Sequence, residues 1–99
     1  RPLRGHSIYS MTKAGLIMLT QSLAKEMAPS IRVNAISPGI ILWPDDIDEE
    51  KKNRILNETM MKRTGNVKDI TKAVLFLIKD AEYVTGQVIN IDGGRTLYS

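Results

Sequence analysis

Apolar residues recur at helical spacing in two stretches of the chain and crowd into short branched runs in two others, with turn residues between them. The first helical stretch runs from Ser7, which suits an N-cap, to Ala28, with Pro29 just past its end. From Ala14 to Ala24 it carries no charge. On a helical wheel Ile8, Leu16, Leu19 and Leu23 line one side, while Ala14, Ile17 and Met18 occupy the others. A helix that is apolar all round is buried on more than one side. One side suits a sheet, and the other needs a second surface, most simply another subunit.

Ile31 to Ile36 is rich in branched residues and predicts a strand, which Pro38-Gly39 breaks into a turn. Pro44 to about Lys62 is charged, with Asp45, Asp46 and Asp48 ahead of the basic residues, a polarity that suits a short helix with weak anchoring. Asn66 is placed to cap a further helix, whose Val67, Ile70, Val74, Leu77 and Ile78 follow helical spacing toward a core. Val88 to Ile91 predicts the last strand. The expected order is helix, strand, lid helix, helix, strand. The two strands and their helical crossover form a parallel, right-handed unit of an α/β fold.

Ninety-nine residues allow one small domain with a marginal core. The seven glycines are scattered, and none forms the Gly-rich turn with which a dinucleotide-binding sheet opens. The chain starts at Arg1 and its first Met is Met11, so it reads as part of a larger domain whose adenosine- and phosphate-binding half is absent. With no Cys there is neither a disulfide framework nor a thiolate metal site, which fits a reducing cytoplasm. A single His excludes His-rich zinc constellations, and no metal site is expected. No apolar run approaches the ~18 residues of a membrane span. The net charge of +3 is dispersed, with Lys51, Lys52 and Arg54 interleaved among Glu49, Glu50 and Glu58, so a nucleic-acid surface is not expected.

Tyr9 and Lys13 stand one turn apart in the first predicted helix, on one face. An ammonium beside a phenol favours the phenolate, so such a tyrosine yields its proton readily. That equips it as a general acid for a substrate receiving hydride. The bland alternative is an ordinary exposed pair.

Three ordered motifs decide between them: Tyr9-x-x-x-Lys13, then Ile31-Arg32-Val33-Asn34-Ala35-Ile36-Ser37-Pro38-Gly39, then Tyr83-Val84-Thr85-Gly86-Gln87-Val88-Ile89-Asn90-Ile91-Asp92-Gly93-Gly94. Over nearly its whole length the chain resembles the C-terminal half of a short-chain dehydrogenase/reductase. Within that family, His6-Ser7-Ile8-Tyr9 and Pro38-Gly39-Ile40-Ile41-Leu42-Trp43-Pro44 most resemble bacterial pteridine reductases of the dihydropteridine or dihydromonapterin type.

The resemblance implies a Rossmann-type doubly wound parallel sheet and an NADPH-dependent reduction of a dihydropterin-type substrate. Other short-chain reductases, acting on 3-oxoacyl or sugar-alcohol substrates, are the alternative, and a non-catalytic association module is a third reading. Tyr9 is then the proton donor, and Lys13 its partner and a ligand of the nicotinamide ribose. Pro38, Gly39 and Ile40 are the backbone segment facing the nicotinamide. Leu42 and Trp43 either line the substrate pocket or simply pack. A homo-oligomer, dimer or tetramer, formed through helix 7–28 is implied as well. The polar group that aligns the tyrosine in this family, a Ser or an Asp, lies further upstream than Arg1, so neither Ser7 nor Ser10 is given that role. Many members carry a Thr soon after the Pro-Gly. Here Ile41, Leu42 and Trp43 fill that stretch and the next Thr is Thr59, so backbone groups alone hold the carboxamide or the cofactor is gripped differently.

Several residues have simpler roles. His6 reads as a loop residue, and Met11, Met18 and Met27 as core or interface filling. Asp92-Gly93-Gly94 reads as a packing turn and Asn34 as a structural hydrogen-bonding residue. The stretch from Ile41 to about Met60, poor in apolar anchors, is expected to move over substrate, with Trp43 as the sole Trp reporter.

Overall fold

The computed structural model describes residues 4–43 and 45–97, with side chains from residue 10 onward. Its elements are α1 (Arg4–Met27), β1 (Ala35–Pro38), α2 (Glu49–Glu58), α3 (Val67–Lys79), β2 (Val88–Ile91) and a closing 3-10 turn, Arg95–Leu97. β1 and β2 pair in a two-stranded sheet. Ala35 N–H donates to Gln87 C=O at 2.9 Å and Gly39 N–H to Ile91 C=O at 2.8 Å, so both strands advance in the same direction. The order and the parallel α/β unit are those expected from the sequence.

Two boundaries differ. α1 begins at Arg4, so Ser7 lies inside the helix and is not its N-cap. Nothing between Arg4 and Ser7 other than Gly5 resists helix propagation, and a lone glycine costs only about 1 kcal/mol. β1 begins at Ala35, not Ile31. Ile31 N–H donates to Met27 C=O at 3.0 Å and Val33 N–H to the Thr85 hydroxyl, so neither enters a ladder.

The chain divides into two units, Arg1–Ala35 with Glu82–Ile89, and Ile36–Ala81 with Asn90–Ser99. In the first, Thr20 and Ala24 are the buried positions among the described side chains of α1, and the Thr20 hydroxyl donates to Leu16 C=O at 2.7 Å. Asn34 fastens the segment before β1. Its amide nitrogen donates to Val84 C=O at 2.9 Å, and its amide oxygen accepts from Gln87 N–H at 3.0 Å. Val33 N–H donates to the Thr85 hydroxyl at 3.0 Å, and Val33 C=O accepts from Gly86 N–H at 2.7 Å. Asn34 is thus a structural residue, as its unusual place in a branched run suggested.

In the second unit, Asp48 caps α2 by accepting from Lys51 N–H at 2.7 Å. Asn66 and Asp69 form a capping box at the start of α3. Leu77 and Ala81 are buried. Val67, Val74 and Ile78, expected to face a core, are exposed instead. Two strands offer too little sheet for a helix of this length to cover. Asp92 caps the closing turn, its carboxylate accepting Gly94 N–H at 3.0 Å and Thr96 N–H at 3.2 Å. The Asp-Gly-Gly run is a turn, as expected.

No helix among the described residues is long and apolar enough to cross a membrane.

Candidate functional site

Tyr9 and Lys13 both belong to α1, which runs unbroken through them, so the backbone sets them one turn apart on one helix face. The Tyr9 side chain lies outside the described residues. Lys13 is half-buried, while Ser10, Met11 and Thr12 around it are exposed.

The Pro38-Gly39-Ile40 segment lies in the other unit, at the carboxyl end of β1. In open α/β sheets ligands gather at that end of the strands. Pro38 is the last strand residue, a position that tolerates the missing donor. Gly39 is required by space. A Cβ built on it would sit 2.8 Å from both Cα and Cβ of Asp92, closer than packed atoms come. The segment therefore lies flush against the end of β2. Ile40 C=O accepts from Gly65 N–H at 3.0 Å, which closes the base of the excursion that carries α2.

Within this same unit is a cavity of about 290 Å³. Ile40, Trp43, Ile55, Leu56, Met61 and Ile91 supply its apolar walls. Thr59, Arg63, Asp69, Asp92 and Arg95 supply its polar ones. The volume lies near the lower end of small-molecule sites, and the balance of apolar wall and few polar groups is typical of them. Trp43 is steadied by Lys52, whose ammonium lies 5.8 Å from the ring centroid and 3.7 Å from the Glu49 carboxylate. Arg63 is held by Asp69 at 3.6 Å and Arg95 by Glu58 at 3.1 Å.

Of the residues singled out in sequence, Ile40 and Trp43 meet in this cavity. Leu42 does not line it and is 81% exposed. Thr59, the first Thr after the Pro-Gly turn, does line it, but its hydroxyl is spent on Ile55 C=O at 2.8 Å. Arg63, Asp69 and Arg95 were not found from sequence. The only signals they gave were an acid three residues after the cap Asn66 and a basic residue directly after Gly-Gly. Among the described residues no cluster of His, Cys, Asp or Glu suits a metal ion.

The Lys13 ammonium, one turn from Tyr9 on α1, suits the ribose hydroxyls of a nicotinamide dinucleotide, whereas the space beside Gly39 is filled by Asp92.

Comparison with known proteins agrees. The family model described as enoyl-(acyl carrier protein) reductase matches residues 1–96. A 3-oxoacyl-[acyl-carrier-protein] reductase FabG of Buchnera aphidicola is 44% identical over 94 residues, 91% of this chain and 38% of that protein. A dihydromonapterin reductase of an Enterobacter species is 37% identical over 92 residues, 93% of this chain and again 38% of the relative. The chain thus spans about two fifths of the curated relatives it matches. A crystal structure of a short-chain dehydrogenase from Leptospira borgpetersenii with bound NAD+ superposes with a TM-score of 0.77 at 43% identity, covering 90% of this chain and 35% of that one. With its motifs, its helix-strand order and these relatives in agreement, the chain belongs to the short-chain dehydrogenase/reductase family.

Proposed function

We propose that the protein carrying this chain is a nicotinamide-dependent reductase that uses NADPH to reduce a C=N or C=O bond of a dihydropterin-type substrate. The observation that carries the reading is Tyr9 and Lys13 on one uninterrupted helix, α1, followed in the chain by Pro38-Gly39 at the carboxyl end of a parallel strand.

A bound nicotinamide dinucleotide supplies the hydride. Tyr9 supplies the proton to the substrate atom that gains negative charge as hydride arrives. The Lys13 ammonium favours the phenolate left behind and holds the ribose hydroxyls by charge-assisted hydrogen bonds. Pro38, Gly39 and Ile40 face the nicotinamide with backbone. Trp43, with Ile40 and Ile55, offers flat apolar wall to a planar heterocycle, and the dihydromonapterin reductases among the relatives support that substrate class.

A second reading has its own support. The FabG relatives are more similar to this chain, at 42–44% identity against 37%, which favours a 3-oxoacyl thioester. The bound NAD+ of the Leptospira relative supports a nicotinamide cofactor without distinguishing its phosphorylated form. The absence of Cys supports a reducing compartment such as the cytoplasm. The exposed Met11, Met18 and Leu19 support association through α1.

The test is a steady-state assay of the full-length protein with NADPH and NADH, each against a dihydropterin and a 3-oxoacyl thioester. The proposal expects the highest kcat/KM for NADPH with dihydropterin. Preference for the thioester moves the substrate to the second reading, and no oxidation of either cofactor with any carbonyl or imine substrate refutes the enzyme.

A further inference from the structure

α2 contributes Ile55 and Leu56 to the cavity wall, yet none of its residues is buried. A helix with so little apolar anchoring needs some other fixture to hold it in place. The structure supplies one where α2 ends. The turn after the helix is itself well bonded, with Thr59 N–H donating to Leu56 C=O at 3.2 Å and Lys62 N–H to Thr59 C=O at 3.0 Å. This turn docks on Gly93-Gly94. Met61 N–H donates to Gly93 C=O at 2.9 Å.

The docking leaves no room for side chains on the glycine side. A Cβ on Gly94 would lie 2.7 Å from Met60 Cβ, and one on Gly93 would lie 3.0 Å from Thr59 Cγ2. Both glycines also have positive φ, 61° and 86°. Across the joint Arg95 Nη2 reaches back to the Glu58 carboxylate at 3.1 Å, the two side chains being 38% and 24% exposed. Among the described residues Arg95 Nε is buried with no partner, so there the arginine is not fully satisfied. Thr59, Met61, Gly93 and Arg95 all line the cavity.

We propose that Glu58 and Arg95 are a positioning pair for this reductase: their ion pair latches α2 against the turn after β2 and so fixes the α2 wall of the cavity. This rests on the cavity being the substrate side of the site. Asp92 sets the latch's geometry by capping the turn that presents Arg95. Making the latch holds Ile55 and Leu56 in the wall, and breaking it frees α2 to swing about the base at Ile40 and Gly65. Substrate affinity depends on it, whereas the proton transfer from Tyr9 does not.

The experiment compares full-length protein with Glu58→Gln, Arg95→Leu and the charge reversal Glu58→Arg with Arg95→Glu. Amide hydrogen exchange is read in α2 and, as an internal control, in α1, alongside KM and kcat. Each single variant is expected to speed α2 exchange by about five-fold, the scale of a partly exposed ion pair, with α1 unchanged. KM is expected to rise by a similar factor, about five-fold, with kcat nearly constant, and the charge reversal to recover part of both. Arg95→Lys, which keeps the charge, guards against a variant that fails to fold and should fall between wild type and Arg95→Leu. Unchanged α2 exchange in both single variants overturns the latch, as does equal loosening of α1. If α2 loosens and is rescued while no variant, nor wild type, reduces any substrate, the latch stands and the reductase reading falls.

Discussion

At the scale of single residues, Lys13 and Gly39 each carry a separate function in the proposed mechanism. Under that mechanism Lys13→Ala removes both the charge beside Tyr9 and a ribose ligand, so it should weaken cofactor binding and slow reduction together. Titrating the dinucleotide into the variant and following turnover measures the two effects separately. Normal binding with slow turnover would restrict Lys13 to a role on Tyr9. Gly39→Ala is predicted to destabilise by roughly 1–3 kcal/mol, the usual cost of forcing an extra carbon into a packed site. The added Cβ meets backbone of Asp92 at 2.8 Å, which no side-chain rotation relieves. Denaturant unfolding of the full-length protein measures this, and an unchanged midpoint would refute the close approach of the two strand ends.

At the scale of elements the sequence was legible wherever local chemistry decides. Asn66 with Asp69 announces a helix start, and the structure forms a capping box there. Replacing Asn66 by Ala should cost about 1 kcal/mol of stability, again read from unfolding. Val88–Ile91 was legible because three of its four residues, Val88, Ile89 and Ile91, are branched and the run lies between turn residues. Illegible features depended on residues far apart in the chain. Whether Ile31–Asn34 join a strand depends on distant partners: Val33 bonds Thr85 and Gly86 instead of a ladder, and the Asn34 side chain bonds Val84 and Gln87. Which residues of α3 find a core depends on how much sheet lies beneath it, and spacing alone does not report that. The Tyr9 and Lys13 spacing was legible because both residues share one helix turn, while Arg63 and Arg95 reach the cavity from separate elements. The excursion carrying α2 was expected to be mobile, and its closed base and its latch define how it can move. Trp43 fluorescence should change when a planar substrate analogue is added to the cofactor complex. An unresponsive Trp43 in a complex shown to bind that analogue would remove it from the substrate wall.

At the scale of the whole molecule, the exposed apolar surface is the main feature. Among the described residues Ala24, Leu77 and Ala81 are the buried hydrophobics, while Met11, Met18, Leu19, Val67, Phe76 and Ile78 are all more than half exposed. Surface of this kind on two helices favours association. Residues 1–99 expressed alone are therefore predicted to self-associate and to bind no dinucleotide tightly, since the chain holds no Gly-rich phosphate turn. Sedimentation and dinucleotide titration check both, and a monomeric fold that turns over NADPH would contradict them. The central claim, that Tyr9 donates the proton in a hydride-transfer reaction, is tested most directly by Tyr9→Phe in the full-length protein. Single-turnover reduction and dinucleotide affinity are measured on the same preparation. The account predicts near-normal cofactor affinity with reduction slowed at least ~100-fold, the lower range of general acid catalysis, and wild-type reduction by the Phe variant would contradict it.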